Sequence, residues 1–189
     1  MRPEVDQVLS YYSKRIYEIQ FVDIPESTKK KSIDIDARLC SDALSCDVPS
    51  VTHTSEYVLS KGVWWSKQAL ETFWKTKIYN KDGTEARTVR QRRKGYQKNS
   101  KQRMFTVEHE YPLGILKNKV MKKEFKSADD VKKYLLKYNK ATIVTQEEDS
   151  KLRNHGRRTA KTIKEASDRY EKCGIEVVKF KEFENLIFD

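Results

Sequence analysis

The sequence predicts an α+β fold, a mainly helical small domain with short strands in its C-terminal half. Apolar residues recur at helical spacing through residues 4–19 and 66–79. Short runs of β-branched and aromatic residues occur at 104–108, 141–145 and 175–180. The length of 189 residues suits one domain, and 37% hydrophobic residues suffice for a modest core.

The N-terminal region, residues 1–60, is predicted to be helical or irregular, and the sequence assigns it no role. Residues 4–19 place one apolar stripe on a helix, made of Val5, Val8, Leu9, Tyr12, Ile16 and Ile19. The polar segment 23–32 predicts a break. A short helix over 37–44 follows, and Pro49 ends it.

The remaining region, residues 61–189, begins with a helix and a turn. Ser66 is the predicted N-cap of a helix whose inward stripe is Leu70, Phe73, Trp74 and Ile78. The Asp-Gly pair in NKDGTEA predicts a hairpin turn. Trp64 and Trp65 favour the core or its rim, with base stacking as the alternative.

From residue 104 onward the predicted order is strand, two helices, strand, two helices and a last strand. Ser127 is the predicted N-cap of the second of these helices. Thr145 and Glu148 form a capping box directly after the second strand. Gly174 ends the last helix.

The composition argues against a membrane protein and against a disulfide framework. No apolar run reaches the roughly 18 residues of a membrane-spanning helix, and the N-terminus lacks a signal-peptide core. The three cysteines, Cys40, Cys46 and Cys173, form neither a CxxC pair nor an even set. We therefore expect a cytoplasmic protein with reduced thiols, no membrane partner and no structural zinc.

Most of the excess positive charge lies in one segment. The chain has a net charge of +11, and residues 61–105 carry 13 basic and 3 acidic side chains, whereas residues 1–60 carry 7 and 10. Such a concentrated positive field attracts polyanions, phosphate backbones above all, although a solvated basic surface is the alternative. We predict that residues 87–103 are a mobile arm or loop along phosphates, with Tyr96 able to stack on a base.

The predicted nucleic-acid contacts share a cationic or stackable side chain. They are Arg87, Arg90, Arg92, Arg93, Lys94, Tyr96, Lys98, Lys101 and Arg103 in that arm, with Arg153, Arg157 and Arg158 around His155. A general basic turn is the alternative for the last three.

Glu108 and His109 end a predicted strand in the stretch FTVEHEYPLG. If the strands at 104–108 and 141–145 pair and the next helix packs across them, His109 faces that helix's first turn. Glu108 and Asp149 would then bind one hard divalent cation that stays open to water and a phosphate oxygen. An imidazole suits the removal of a proton from water, and a cation neutralises charge on the phosphate. The alternative is two polar residues at a strand end.

The stretches TVEHEYPLGIL and NKATIVTQEEDSKL resemble the His-Me finger nucleases, also called HNH-type or ββα-metal nucleases. The resemblance covers 104–153, about a quarter of the chain. It implies a ββα-metal core with Glu108 as metal ligand, His109 as general base and Asp149 as the helical metal ligand. It also implies that Asn139 braces the loop and orients the base.

The sequence departs from that family at several points. Asp149 stands where His or Asn is usual, and Glu147 or Glu148 could take its place. About thirty residues separate the two strands, and the cysteines of a structural zinc are missing.

The resemblance implies a metal-dependent endonuclease that hydrolyses phosphodiester bonds in DNA with Mg²⁺ or Mn²⁺. It suggests a restriction or phage protein acting in the cytoplasm of a bacterial or phage-infected cell. A homodimer is the simplest way to cut both strands. The alternatives are a non-catalytic DNA- or RNA-binding regulator or packaging factor, and an RNA-directed nuclease, because charge does not distinguish DNA from RNA.

Overall fold

The computed structural model describes residues 1–49, 55–155, 160 and 162–180. Within them the chain is α+β, as the sequence predicts, with helices around a small mixed sheet. The elements are α1 (Pro3–Glu18), α2 (Glu26–Cys46), α3 (Ser55–Lys61), β1 (Trp64–Ser66), α4 (Lys67–Lys75), α5 (Val89–Arg93), β2 (Phe105–His109), α6 (Leu113–Met121), α7 (Ala128–Tyr138), β3 (Ala141–Thr145), α8 (Gln146–Asn154), α9 (Ile163–Lys172) and β4 (Val177–Lys179).

The sheet has the strand order β2-β3-β1-β4. β2 and β3 pair antiparallel, with Phe105 opposite Thr145 and His109 opposite Ala141. β1 runs parallel to β3, and β4 runs antiparallel to β1. α8 follows β3 without a loop and packs against β2 and β3. The predicted succession of two paired strands and a helix is therefore present.

Two main apolar clusters stabilise this arrangement. The first joins α1 and α2 to α6 and α7 through buried side chains such as Leu9, Ile33, Leu116 and Leu135. The second lies on the sheet and contains Trp65, Phe73, Phe105, Ile143 and Phe180. The first cluster combines residues 5–43 with residues 116–135. The N-terminal helices therefore share a core with the C-terminal half.

Most of the predicted local structure is confirmed. α1 buries Val5, Leu9 and Ile16 from its apolar stripe. The side chains of Ser66, Ser127 and Thr145 accept hydrogen bonds from the backbone of the helices that they cap. Gly174 follows α9 with a φ of +65°, the left-handed conformation that glycine adopts readily.

The predicted break at 23–32 is wrong beyond Pro25. α2 begins at Glu26 and continues for 21 residues to Cys46. None of the three lysines at 29–31 is buried, while Ile33, Ala37 and Cys40 are buried against the neighbours of this helix. Packing of one apolar face therefore overrides a polar local sequence. Asp47, with a left-handed φ of 50°, ends the helix before Pro49.

The predicted arm or loop at 87–103 contains regular local structure. The segment contains α5, which starts with a capping box at Thr88, and Tyr96 forms backbone bridges to Tyr79 and Arg103. Gly95 packs so closely that an added Cβ would lie 2.0 Å from Ile78 Cγ2. The segment has no apolar stripe, so its order comes from long-range contacts that periodicity does not reveal.

The three cysteines are free thiols, two of them buried. Burial raises the pKa of Cys46 to about 12, so this thiol stays protonated near neutral pH. Among the described residues, no helix combines the length and the apolar character needed to cross a membrane.

Leu9→Ala tests whether both ends of the chain unfold together. We expect it to lower the free energy of unfolding by about 2–5 kcal/mol, because Leu9 is fully buried between α1 and its neighbours. Urea unfolding is followed by tryptophan fluorescence in a Trp64→Phe background, in which only Trp65 and Trp74 of the sheet cluster report, and by circular dichroism. The two transitions should shift together. Ile35→Ala, on an exposed part of α2, is the control and should change little. A fluorescence transition unmoved by Leu9→Ala would contradict the shared core.

Candidate functional site

The candidate site lies at the end of the sheet where β2 stops and β3 starts. His109 is the last residue of β2 and pairs with Ala141, the first residue of β3. Successive side chains of a strand point to opposite faces of the sheet. Glu108 and His109 therefore face different layers of the fold, although they are adjacent in sequence.

Glu108 is fully buried and held by two side chains of α9. Its carboxylate accepts a hydrogen bond of 2.9 Å from the Tyr170 hydroxyl, and its Oε1 lies 3.3 Å from Nη2 of Arg169. Burial, with the nearby Glu108 carboxylate, raises the pKa of Tyr170 well above its usual value, so the phenol stays a proton donor. Arg169 is buried as well, and the two charges form an ion pair inside the protein.

The Arg169 guanidinium also holds the backbone beside the site. Nη2 donates to the carbonyl oxygens of His109 at 3.2 Å and of Glu110 at 2.8 Å. Arg169 and Tyr170 of α9 thus hold three consecutive residues at the end of β2, Glu108 to Glu110. Sequence reasoning missed Arg169 and Tyr170; the available signal was their helical spacing from Ala166, which places all three on the buried side of α9.

His109 is half-buried, and its ring contacts α2. Nδ1 lies 3.3 Å from Oγ of the buried Ser41. The expectation that His109 faces the first turn of α8 is wrong, because α8 begins beside Phe105, about 13 Å away along β2. If Nδ1 donates its proton to Ser41, Nε2 carries the lone pair that a general base needs.

A stripe of small residues on α2 supports this end of the sheet. Asn139 Nδ2 donates to the carbonyl of Ala37 at 2.6 Å, and Ser45 Oγ accepts from the Ala141 amide at 2.8 Å. Ala37, Ser41 and Ser45 are spaced one helical turn apart, so they lie on one face of α2. Asn139 thus braces the helix that carries the partner of His109. No local motif marks these small residues in the sequence.

The three acidic residues in the first turn of α8 have three different sets of contacts. The Glu148 carboxylate completes the capping box with the Thr145 amide and accepts from the Ser66 hydroxyl at 2.6 Å. Glu147 is exposed, and its hydrogen bond with Lys151 lowers its pKa. Asp149 is buried and accepts from Nε of Arg153 at 2.9 Å. Arg153, a predicted nucleic-acid contact, is therefore bound to Asp149.

Each predicted metal ligand lies in an ion pair with an arginine. Across 1–49, 55–155, 160 and 162–180, no group of three or more His, Cys, Asp or Glu side chains could hold a metal ion. Glu108 is paired with Arg169, and Asp149 with Arg153. A divalent ion beside Glu108 would meet the repulsion of the buried guanidinium. The role of Mg²⁺ or Mn²⁺ stays a prediction.

A basic face lies on the segment predicted to bind nucleic acid. Two open cavities, of 610 and 310 Å³, share the side chains of Arg90 and Lys94. Lys61 lines the larger cavity, while Lys81 and Arg103 line the smaller one together with Tyr96. Arg87, Lys98 and Lys101 are exposed in the same segment. We call Lys61, Lys81, Arg90, Lys94, Tyr96 and Arg103 the basic face.

Two predicted contacts serve the fold instead. Arg93 is buried, donates to the carbonyl of Gly62 at 2.9 Å and lies 4.3 Å from the ring centre of Phe180. Arg92 donates to the carbonyls of Phe73 and Thr76 at the C-terminus of α4. The prediction that Arg93 contacts nucleic acid is wrong, because its side chain is part of the core. Arg157 and Arg158 lie outside the described residues.

Comparison of the chain with protein-family models, with curated proteins and with solved structures finds no match.

Glu108→Ala tests whether this carboxylate stabilises the fold without a metal. We expect it to lower the free energy of unfolding by about 3–5 kcal/mol, because it leaves the Arg169 charge buried without its counter-ion. Urea unfolding should show the same loss with EDTA and with Mg²⁺. Glu147→Ala, which removes an exposed carboxylate on α8, is the control and should stay close to the parent. If Glu108→Ala were as stable as this control, the structural role would be ruled out.

Proposed function

We propose that the chain is an endonuclease of the His-Me finger type that hydrolyses phosphodiester bonds in DNA with His109 as general base. One observation carries the proposal: the half-buried His109 is held from two sides. Ser41 contacts its ring, and Arg169 holds its backbone carbonyl. A general base must be held in position and be reachable from solvent, and the two contacts and partial exposure of His109 support that role.

The chemistry follows from the tautomer that Ser41 can select. With Nδ1 bound to Ser41, Nε2 removes a proton from a water molecule that attacks phosphorus. The phosphate then gains negative charge, and the oxygen of the cleaved bond leaves. A bound Mg²⁺ or Mn²⁺, which the resemblance implies, would neutralise that charge when present. The antiparallel β2–β3 pair followed directly by α8 also supports the resemblance.

The basic face supports nucleic acid as the substrate. Its cations line two adjoining cavities, and Tyr96 adds an aromatic ring among them. Phosphate contacts of this kind provide affinity without reading sequence. We propose DNA first and RNA as the alternative, with cleavage in the cytoplasm of a bacterial or phage-infected cell and a homodimer as the cutting unit.

A second function, non-catalytic nucleic-acid binding, is favoured by a different observation. Both acidic residues assigned to the metal are bound to arginines, Glu108 to Arg169 and Asp149 to Arg153. In a regulator or packaging factor these pairs would serve stability alone, and the basic face would still bind phosphates.

His109→Ala separates the two functions. We expect plasmid cleavage to fall by about 10²-fold or more, because the base is lost, while DNA binding stays near the parent level. Ser41→Ala should lower kcat and leave KM unchanged, because it keeps the base and removes its hydrogen-bond partner. Cleavage is measured with Mg²⁺, with Mn²⁺ and with EDTA.

His155→Ala is the matched control, because His155 is exposed at the end of α8 and should be dispensable for cutting. Undiminished cutting by His109→Ala would remove this residue from the mechanism. A parent protein that binds DNA and cuts it under none of these conditions would establish the non-catalytic alternative.

The basic face can be tested through the salt dependence of DNA binding. The double variant Arg90→Ala, Lys94→Ala removes the two cations that both cavities share. We expect it to reduce the slope of log K against log salt by about 2, since each lost phosphate contact lowers it by about 1. The control Lys31→Ala, Lys133→Ala removes two exposed cations from α2 and α7. Equal slopes for both double variants would place the interface elsewhere.

A further inference from the structure

A separate cavity of 440 Å³ opens at the same end of the sheet as His109. Its lining combines apolar side chains from three helices, Val5, Leu44 and Leu136, with Trp64, Lys140 and Lys179. Cavities of this size hold small organic ligands. The lining therefore combines an apolar surface, an aromatic ring and two ammonium groups.

Trp64 is the central side chain of this cavity. It begins β1 and is half-buried, whereas the next residue, Trp65, points to the opposite face and enters the core. Two ammonium groups lie against its indole ring, Lys140 Nζ at 4.4 Å and Lys179 Nζ at 5.2 Å from the ring centre. The indole thus makes cation–π contacts with two lysines.

The charge balance of the cavity favours an anion. Besides the two lysines, Arg2 lines it, and the acidic residue Asp47 lies 3.8 Å from the Arg2 guanidinium. A ligand that satisfies the whole lining is planar, aromatic and negatively charged. A nucleotide unit has these properties, because its base can lie on the apolar side chains beside the indole while its phosphate meets the ammonium groups.

The cavity lies at the same end of the sheet as the proposed catalytic base, and the strand register puts Trp64 and His109 on opposite faces. β2 ends with His109, Lys140 directly precedes β3, Trp64 begins β1, and Lys179 pairs with Trp64 at the end of β4. These residues therefore share one end of the sheet. β2 and β1 are two strand spacings apart, about 10 Å.

We propose that this cavity binds an unpaired nucleobase, so that the protein prefers single-stranded or locally unpaired nucleic acid. The inference rests on the proposed function in taking a nucleic acid as the ligand. A base inside a duplex must first be unstacked and unpaired, which costs free energy, whereas a single strand presents its bases directly. The site therefore selects substrates by strand structure instead of by sequence.

The test measures the affinity of labelled oligonucleotides by fluorescence anisotropy, in the His109→Ala background and in EDTA so that nothing is cut. The probes are a single-stranded oligothymidylate, an oligonucleotide of the same length with abasic sites, and a duplex. We expect the base-bearing single strand to bind tightest. Trp64→Leu should weaken its binding about tenfold or more and leave the abasic probe unchanged.

Further variants distinguish contact with the base from contact with the phosphate. Lys140→Gln and Lys179→Gln should weaken the base-bearing and abasic probes equally, because they remove phosphate contacts. Lys137→Ala is the matched control, because it removes a cation that lies over Tyr138 outside the cavity. If Trp64→Leu does not fold, Trp64→Tyr, which keeps an aromatic ring, must retain the preference for base-bearing strands over abasic ones.

Equal affinity for base-bearing and abasic probes would overturn the inference, as would a folded Trp64→Leu that binds like the parent. Preference for the duplex would overturn it too. The cleavage assay tests the nuclease function independently of the cavity. If the chain does not cut but its binding depends on Trp64, this inference holds and the nuclease function is excluded. If cutting depends on His109 but Trp64→Leu does not change binding, the nuclease function holds and this inference is excluded.

Discussion

The ion pair between Glu108 and Arg169 is the interaction on which the candidate site depends. It joins residues 61 positions apart, both of them buried, and so fastens the end of β2 to α9. A buried charge without its partner is strongly unfavourable, so each of these residues requires the other. The same guanidinium holds the carbonyls of His109 and Glu110, which extends its effect to the backbone beside the imidazole.

The other layer of the fold completes the positioning of His109. Because adjacent strand residues face opposite sides of the sheet, the imidazole points away from α9 and meets α2. α2 is itself fixed by Asn139 and by the hydrogen bond between Ser45 and Ala141. A long helix with a polar outer surface is thus the support of the proposed base, which links the N-terminal region directly to the chemistry.

The cationic residues divide between structure and binding in a way that local charge does not reveal. Arg92 and Arg93 satisfy backbone carbonyls, whereas Arg90 and Lys94 remain on the surface between two cavities. Neighbouring arginines on one short helix therefore lie in different environments. The same division applies to the tryptophans: one fills the core, and Trp64 lines a cavity with two lysines against its ring.

The sequence by itself determined the features that depend on contacts within about four residues: the helix caps at Ser66, Ser127 and Thr145, the amphipathic stripe of α1 and the strand character of β2 and β3. It also determined where positive charge accumulates. Only the tertiary structure decided that Glu108 pairs with Arg169, that His109 meets Ser41 and that Arg93 is buried. These contacts join distant segments, and strand register and helix packing select among many partners of equal local suitability.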